Sequence, residues 1–314
     1  GLYATLYSFP AMMKRNLMKG SVIPRYSGLP TVLKENGYYN LFFMTHEGQY
    51  DNMNAFFRTN GYDEVFSQEN YPADKVVNSF GVQDDFLYDY AIPVLNQRAA
   101  TGQPFFATLL SISNHPPYVI PPFFHPKTSE PETQIVEYAD WALRKFFEEA
   151  RKQPWFDNTI FVLEGDHGKL VGDAECELPE SYNHIPLMIY SSRIHPEEKN
   201  TFGGQVDIQP TILGLLNIDY LQNNFGVDLL KEERPCMFYT ADNMIVGRND
   251  TLLYLYNYET QQEFTYHIDN GKLKAVPMDD RFLPLKEYSF SMLQSAEFLV
   301  KHGKTVNSVP VTQQ

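Results

Sequence analysis

An α/β fold is predicted: a mostly parallel sheet sandwiched by helices, with a small antiparallel sheet and a helix appended at the C-terminal end. Three observations predict it. Short apolar runs alternate with helical stretches through the first two thirds of the 314 residues. Each run is bounded by polar, Gly or Pro residues, as strands buried on both faces are. Near Arg234 the texture changes to aromatic and β-branched runs separated by turn residues.

The elements follow in chain order. "YYNLFFM" (38–44) reads as the first buried strand, and "DDFLYDYAIPVLNQ" (84–97) as a helix. "FFATLLSI" (105–112) is a second strand. "ETQIVEYADWALRKFFEEARKQ" then places Ile135, Ala139, Ala142, Phe146 and Ala150 on one helical stripe with charges opposite. "TIFVL" (159–163) and "PLMIY" (186–190) are two more apolar runs of the same parallel-sheet kind. "DIQPTILGLLN" (207–217) reads as a helix with Asp207 as its N-cap. Strand, helix, strand in repetition implies crossover units. Within 251–277, Asp269-Asn270-Gly271 marks a hairpin, and a closing amphipathic helix is expected over 286–302. This divides the chain into a core (1–233) and a C-terminal subdomain (234–314).

Composition narrows the function. With 25 basic against 39 acidic residues the net charge is -14, the wrong sign for nucleic acid, which requires a basic surface. It suits a site that holds a cation. Cys176 and Cys236 are the two cysteines, read as unrelated thiols or one peripheral crosslink. No run approaches the ~18 apolar residues of a membrane helix, so the piece reads as soluble.

The chemistry concentrates in "FVLEGDHGKL" (161–170). Adjacent side chains of a strand point to opposite faces, so Asp166 and His167 can converge only where the backbone turns, which Gly165 and Gly168 permit. Strand carboxyl ends form the ligand edge of open parallel sheets. One carboxylate oxygen with one imidazole nitrogen suits Mn²⁺ or Zn²⁺ better than Ca²⁺. A capping Asp and a hydrogen-bonded His in an ordinary turn is the competing reading of the tripeptide.

The surrounding segments carry a resemblance. "YADWALRKFFEEARKQPWFDNTIFVLEGDHG" (138–168) and "QVDIQPTILGLLNI" (205–218) resemble the helix-loop-strand unit and the "VDI-PT-LGLLGI" helix of the sulfatase and alkaline-phosphatase-like superfamily. "FFATLLSISNHPPYVIP" (105–121), and "VLKENGYYNLFF" followed by "NAFFRTNGYDEVF", resemble its lipoteichoic acid synthase and phosphoglycerol transferase branch. The resemblance runs collinearly over residues 1–230.

It implies that Asp166 and His167 ligate one catalytic divalent metal, manganese first, with magnesium, zinc and calcium as alternatives. It implies that His115 contacts the phosphoryl or sulfuryl oxygens, and that His184 stands near the site. The loop after the first strand offers His46 and Asp51 for the head group. Register from "NGYD" sets Asp51 and Met53 where the branch carries an aromatic and an arginine. That arginine is absent, and a planar bidentate cation is hard to replace for phosphate. Asp140 reads as structural, and His125, His195, His267 and His302 as surface or packing residues.

The branch's nucleophile is a threonine just upstream of a segment resembling "GLYATLYSFP". The expectation is therefore that the nucleophile, a first carboxylate ligand and an N-terminal strand precede Gly1, and that the piece is inactive. Thr5 is the weaker alternative nucleophile. The implied whole protein is membrane-anchored, its catalytic domain on the extracytoplasmic face of a bacterial cytoplasmic membrane. It would act on a lipid-linked or glycan phosphate or sulfate ester. Two other readings stay open: a formylglycine sulfatase, although neither cysteine lies in "C/S-x-P-x-R", and a degenerate binding module.

Overall fold

From Leu41 to Met44 the first strand is apolar without a break, and the fold uses both of its faces. In the computed structural model, which describes residues 1–307 except 14, 20, 21 and 171, helices α1 (Leu2–Tyr7) and α2 (Leu29–Glu35) precede β1 (Tyr39–Met44). Leu41 and Phe43 pack with α4 (Asp84–Ala99) and α5 (Pro131–Ala150), through Leu87, Ala91, Ala142 and Phe146. Phe42 and Met44 pack on the other side with Leu6 and Tyr7 of α1 and with Met53, Phe56 and Phe57 of α3 (Met53–Thr59). Helices on both faces of a strand are the layering expected of an α/β sheet.

β1 lies between β2 (Glu64–Phe66) and β5 (Phe105–Leu110), parallel to both. A short hairpin, β3 (Val76–Asn78) and β4 (Gly81–Val82), sits between α3 and α4. Gly81 has φ of +91°, and a Cβ there would lie 1.7 Å from the Thr45 carbonyl oxygen. Only glycine allows that approach to the end of β1.

β6 (Phe161–Glu164) and β7 (Leu187–Tyr190) form a separate antiparallel pair. "PLMIY" is therefore neither parallel nor buried on both faces, for Met188 is 54% exposed. Among the described residues, the connection between the two strands holds no α-helix, only one turn of 3-10 helix at Glu180–Tyr182. Without a crossover helix the chain returns antiparallel.

α6 (Ile208–Leu215) follows one turn of 3-10 helix at Gln205–Asp207. Asp207 occupies the N-cap position, but its carboxylate does not cap α6. It is fully buried and takes Arg234 Nε at 2.8 and 2.9 Å, as well as the backbone N–H of Gly204 and of Val227. A buried guanidinium competes successfully for that carboxylate.

Beyond Arg234, β8 (Met237–Ala241), β9 (Met244–Arg248), β10 (Leu252–Asn257), β11 (Gln262–Asp269) and β12 (Lys272–Ala275) form one antiparallel sheet in the order β12-β11-β10-β9-β8. The β11–β12 turn uses Asn270 (φ 48°) and Gly271 (φ 73°), the two left-handed residues of a type I′ hairpin. α7 (Leu283–Lys301) packs on β8 and β9, and its Ala296 enters the cluster around Phe42 and Phe56. Cys176 and Cys236 are both free. Among the described residues, no helix is long and apolar enough to cross a membrane.

Candidate active site

Two strands frame the site. β5 and β6 start beside the same side chain: the Trp155 ring centroid is 6.0 Å from that of Phe105 and 6.4 Å from that of Phe161. They also finish together, because Lys169, beyond β6, reaches Tyr118, beyond β5. Both are edge strands in the hydrogen-bonding order. Between them lies a cleft of about 2590 Å³, lined by every residue of Phe105–Leu110 and of Phe161–Glu164. Ordinary ligand pockets are several times smaller, on the order of 300–1,000 Å³.

At the carboxyl end the backbone turns after Glu164. Asp166 Oδ1 accepts the His167 N–H at 2.9 Å, and the His167 Nδ1 meets the Gly168 carbonyl at 2.8 Å. This holds Nδ1 as the protonated nitrogen and leaves Nε2 as a lone-pair donor. Nε2 stands 3.8 Å from Asp166 Oδ2, with both side chains more than half exposed. Two donors so spaced fit two positions around one small divalent ion. Among the described residues no group of three or more His, Cys, Asp or Glu side chains could hold a metal, so these two fit part of a coordination shell.

His115 comes from the loop after β5. Its Nδ1 lies 2.7 Å from the Pro116 carbonyl, and its ring packs 4.2 Å from Phe80. The loop itself is clamped from α4: Asp84 Oδ1 accepts the N–H groups of Ile112 and Ser113 at 3.0 Å each. Gln83 bonds the Ser113 hydroxyl and the Val119 carbonyl, both at 2.8 Å. Burial raises the Asp84 carboxyl above its usual range. Neither Gln83 nor Asp84 stood out in the sequence, because their partners lie some thirty residues away.

His46 follows β1. It is buried, its imidazole pKa lowered by desolvation, and its ring lies 4.6 Å from Tyr50. Asp51 also lines the cleft, but its carboxylate is held by Lys19 at 2.5 Å and Asn16 at 2.9 Å. His184 is exposed and absent from the cleft lining. Thr5 is buried in α1, with its hydroxyl donated to Glu164 Oε1 at 2.5 Å. Burial pushes the Glu164 carboxyl up to about 7. Asp140 pairs with Arg144 on the exposed face of α5.

The chain is similar in sequence and fold to known proteins. The sulfatase family model matches residues 1–218. The chain belongs to the sulfatase family. Lipoteichoic acid synthase 1 of Bacillus subtilis (strain 168) is 26% identical over 274 residues, covering 80% of this chain and 41% of that protein. The sulfatase-family chain thus spans about two fifths of that relative's length. Among solved structures, an alkaline phosphatase superfamily protein from Vibrio parahaemolyticus superposes with TM-score 0.87 at 25% identity, over 98% of this chain and 76% of its own. The lipoteichoic acid synthase LtaP from Listeria monocytogenes gives TM-score 0.80 at 22% identity, over 96% and 79%. The fold is alkaline-phosphatase-like, with the antiparallel sheet and helix at its C-terminal end.

Proposed function

We propose that this chain is the catalytic part of a metal-dependent phosphoglycerol or phosphoethanolamine transferase, or of a related phosphodiester hydrolase. The observation that carries the reading is the pairing of Asp166 Oδ2 with His167 Nε2 at 3.8 Å, with Nδ1 already engaged. Asp166 and His167 would hold one divalent ion, manganese by choice of donors. Such an ion, when bound, activates an attacking hydroxyl and neutralises charge at phosphorus. His115, on its clamped loop in the same cleft with Nδ1 on the Pro116 carbonyl, would contact the oxygens of the transferred group through Nε2, donating to them only with both ring nitrogens protonated. His46 forms part of the head-group wall; Asp51, tied to Lys19, serves the loop more than the substrate. Thr5 is no nucleophile on this reading, since its hydroxyl is committed to Glu164.

The remaining parts of the reading rest on the cleft and on the likeness to lipoteichoic acid synthases. Two open strand edges face each other across it, and an additional strand with the nucleophile and a further carboxylate is proposed to fill that place. Without it, the chain by itself is inactive. Core (1–233) and C-terminal subdomain (234–314) act as one catalytic unit, on a membrane-anchored protein facing outward from a bacterial cytoplasmic membrane. Its substrate is a lipid-linked or glycan ester. A formylglycine sulfatase using either cysteine is disfavoured, because neither Cys176 nor Cys236 lies in a "C/S-x-P-x-R" context.

Calorimetric titration with Mn²⁺ tests the metal assignment. Wild type is expected to give a saturable heat that vanishes in the Asp166→Ala/His167→Ala double variant. Equal heats in the two proteins would overturn it, and absence of heat in both would favour a degenerate binding module.

A further inference from the structure

The mouth of the cleft is acidic. Glu164 and Asp166 line it from the end of β6, Glu132 from the first turn of α5 and Asp51 from beyond β1. Asp51 is tied to Lys19 and burial raises Glu164, so a phosphate or sulfate ester entering there meets chiefly Asp166 and Glu132, a like-charge approach that is unfavourable unless a cation offsets it. The arginine expected in the loop after β1 is missing. Arg58, in α3, is turned to Asn54 and to the carbonyls of Asp63 and Val65.

Two cations line the cleft among the described residues, Lys169 and Arg193. Arg193 follows Tyr190, which pairs in register with Phe161, the first residue of β6. It therefore belongs to the amino end, away from Asp166 and His115. Lys169 belongs to the carboxyl end, two residues beyond His167. Its ammonium donates to the Tyr118 hydroxyl at 2.9 Å and lies 5.3 Å from the centre of that ring. The Glu132 carboxylate also acts on it, at longer range than the phenol. A lysine held by a neutral phenol keeps its full charge and two further N–H donors for a ligand.

We propose that Lys169, oriented by Tyr118, is the cation that docks the anionic ester group of the substrate, in the place of the absent arginine. The pairing joins the loop after β5, which carries His115, to the loop after β6, which carries Asp166 and His167. An anion bound there bridges the two. The ligand class follows: a phosphate or sulfate ester whose non-bridging oxygens accept from a compact, point-charge donor. The inference rests on the active-site reading above.

The test uses the intact 314-residue chain and glycerol phosphate as the probe. Equilibrium binding is measured at about 20 and about 150 mM salt, where screening differs strongly. Lys169→Gln is expected to weaken binding about 5- to 10-fold at low salt and to flatten its salt dependence, a loss of the size of one charge-assisted contact. Lys169→Arg, which keeps the charge, should stay within about 2-fold of wild type, and Tyr118→Phe should lose about 2- to 3-fold by freeing the ammonium. Lys169 is exposed, so unchanged circular dichroism is expected for each variant. Equal affinity of Lys169→Gln and wild type, or a wild type that binds no glycerol phosphate, overturns the proposal. The Mn²⁺ titration is independent of it. A chain that takes Mn²⁺ at Asp166 and His167 but ignores Lys169 defeats only the docking role, whereas lost Mn²⁺ heat with a retained Lys169 effect defeats only the metal reading.

Discussion

Asp84 is buried on α4 and satisfies two backbone N–H groups of the loop that carries His115. Asp84→Ala leaves both donors unsatisfied, each costing about 1–3 kcal/mol. A drop of about 2–4 kcal/mol in urea-unfolding stability is expected, with His115 no longer fixed. Glu164 gives a pH dependence. Its carboxyl, pushed up to about 7 by burial, holds its proton more tightly folded than unfolded. The penalty for ionising it is absent below its ordinary value of 4.5, grows as pH rises, and is complete above 7. Glu164→Gln should therefore match wild type in thermal stability near pH 4 and exceed it at pH 8. A constant difference across that range would refute the assignment. At this scale the sequence told part of the story. The turn that carries Asp166 and His167 was legible because glycines mark the end of the strand, whereas His115 was singled out only through the family resemblance of its segment. Asp84 and Glu164 were not legible, because burial and distant partners give a carboxylate its role. Lys169 lay in plain view beside His167, but only its contact with Tyr118, 51 residues away in sequence, gives it direction.

Among the elements, periodicity located the long helices and the apolar strands to within a few residues, since α4, α5, α7 and β1 each bury a continuous stripe and β5 is a continuous, half-buried apolar run. It misjudged β7, whose direction depends on what connects it to β6, and an apolar run of five carries no sign of that. It missed α3, β2 and the β3–β4 hairpin, all too short for periodicity to register. The open edges of β5 and β6 have a measurable outcome. Alternate amides of an edge strand face the cleft without a partner, while β1 is paired on both sides. Hydrogen exchange should accordingly be at least ~100-fold faster in parts of 105–110 and 161–164 than in 41–43, since local opening free energies range from near zero to the global value. Uniform protection across the three strands would mean that the two edges close on each other in solution.

For the whole molecule, the question is whether the two sheets melt together. α7 lies on β8 and β9, yet Ala296 is buried among Phe42, Phe56 and Phe57, and Arg234 sits on Asp207 at the start of α6. Gly247 lets the helix come close, for a Cβ there would stand 2.8 Å from the Leu285 carbonyl oxygen. One cooperative thermal transition is expected by calorimetry, and two resolved peaks would show independent units. The change of texture at Arg234 marked the second sheet correctly; that its helix doubles as a wall of the first core was invisible, because an amphipathic stripe does not name its partner. The unpaired edges at the cleft reach past this molecule. Unsatisfied strand edges beside apolar side chains recruit whatever extended chain they meet, and Met188 and Tyr190 leave apolar surface open on β7 close by. At high concentration that chain is another copy, so scattering should rise with protein concentration and fall when a strand-like peptide is supplied.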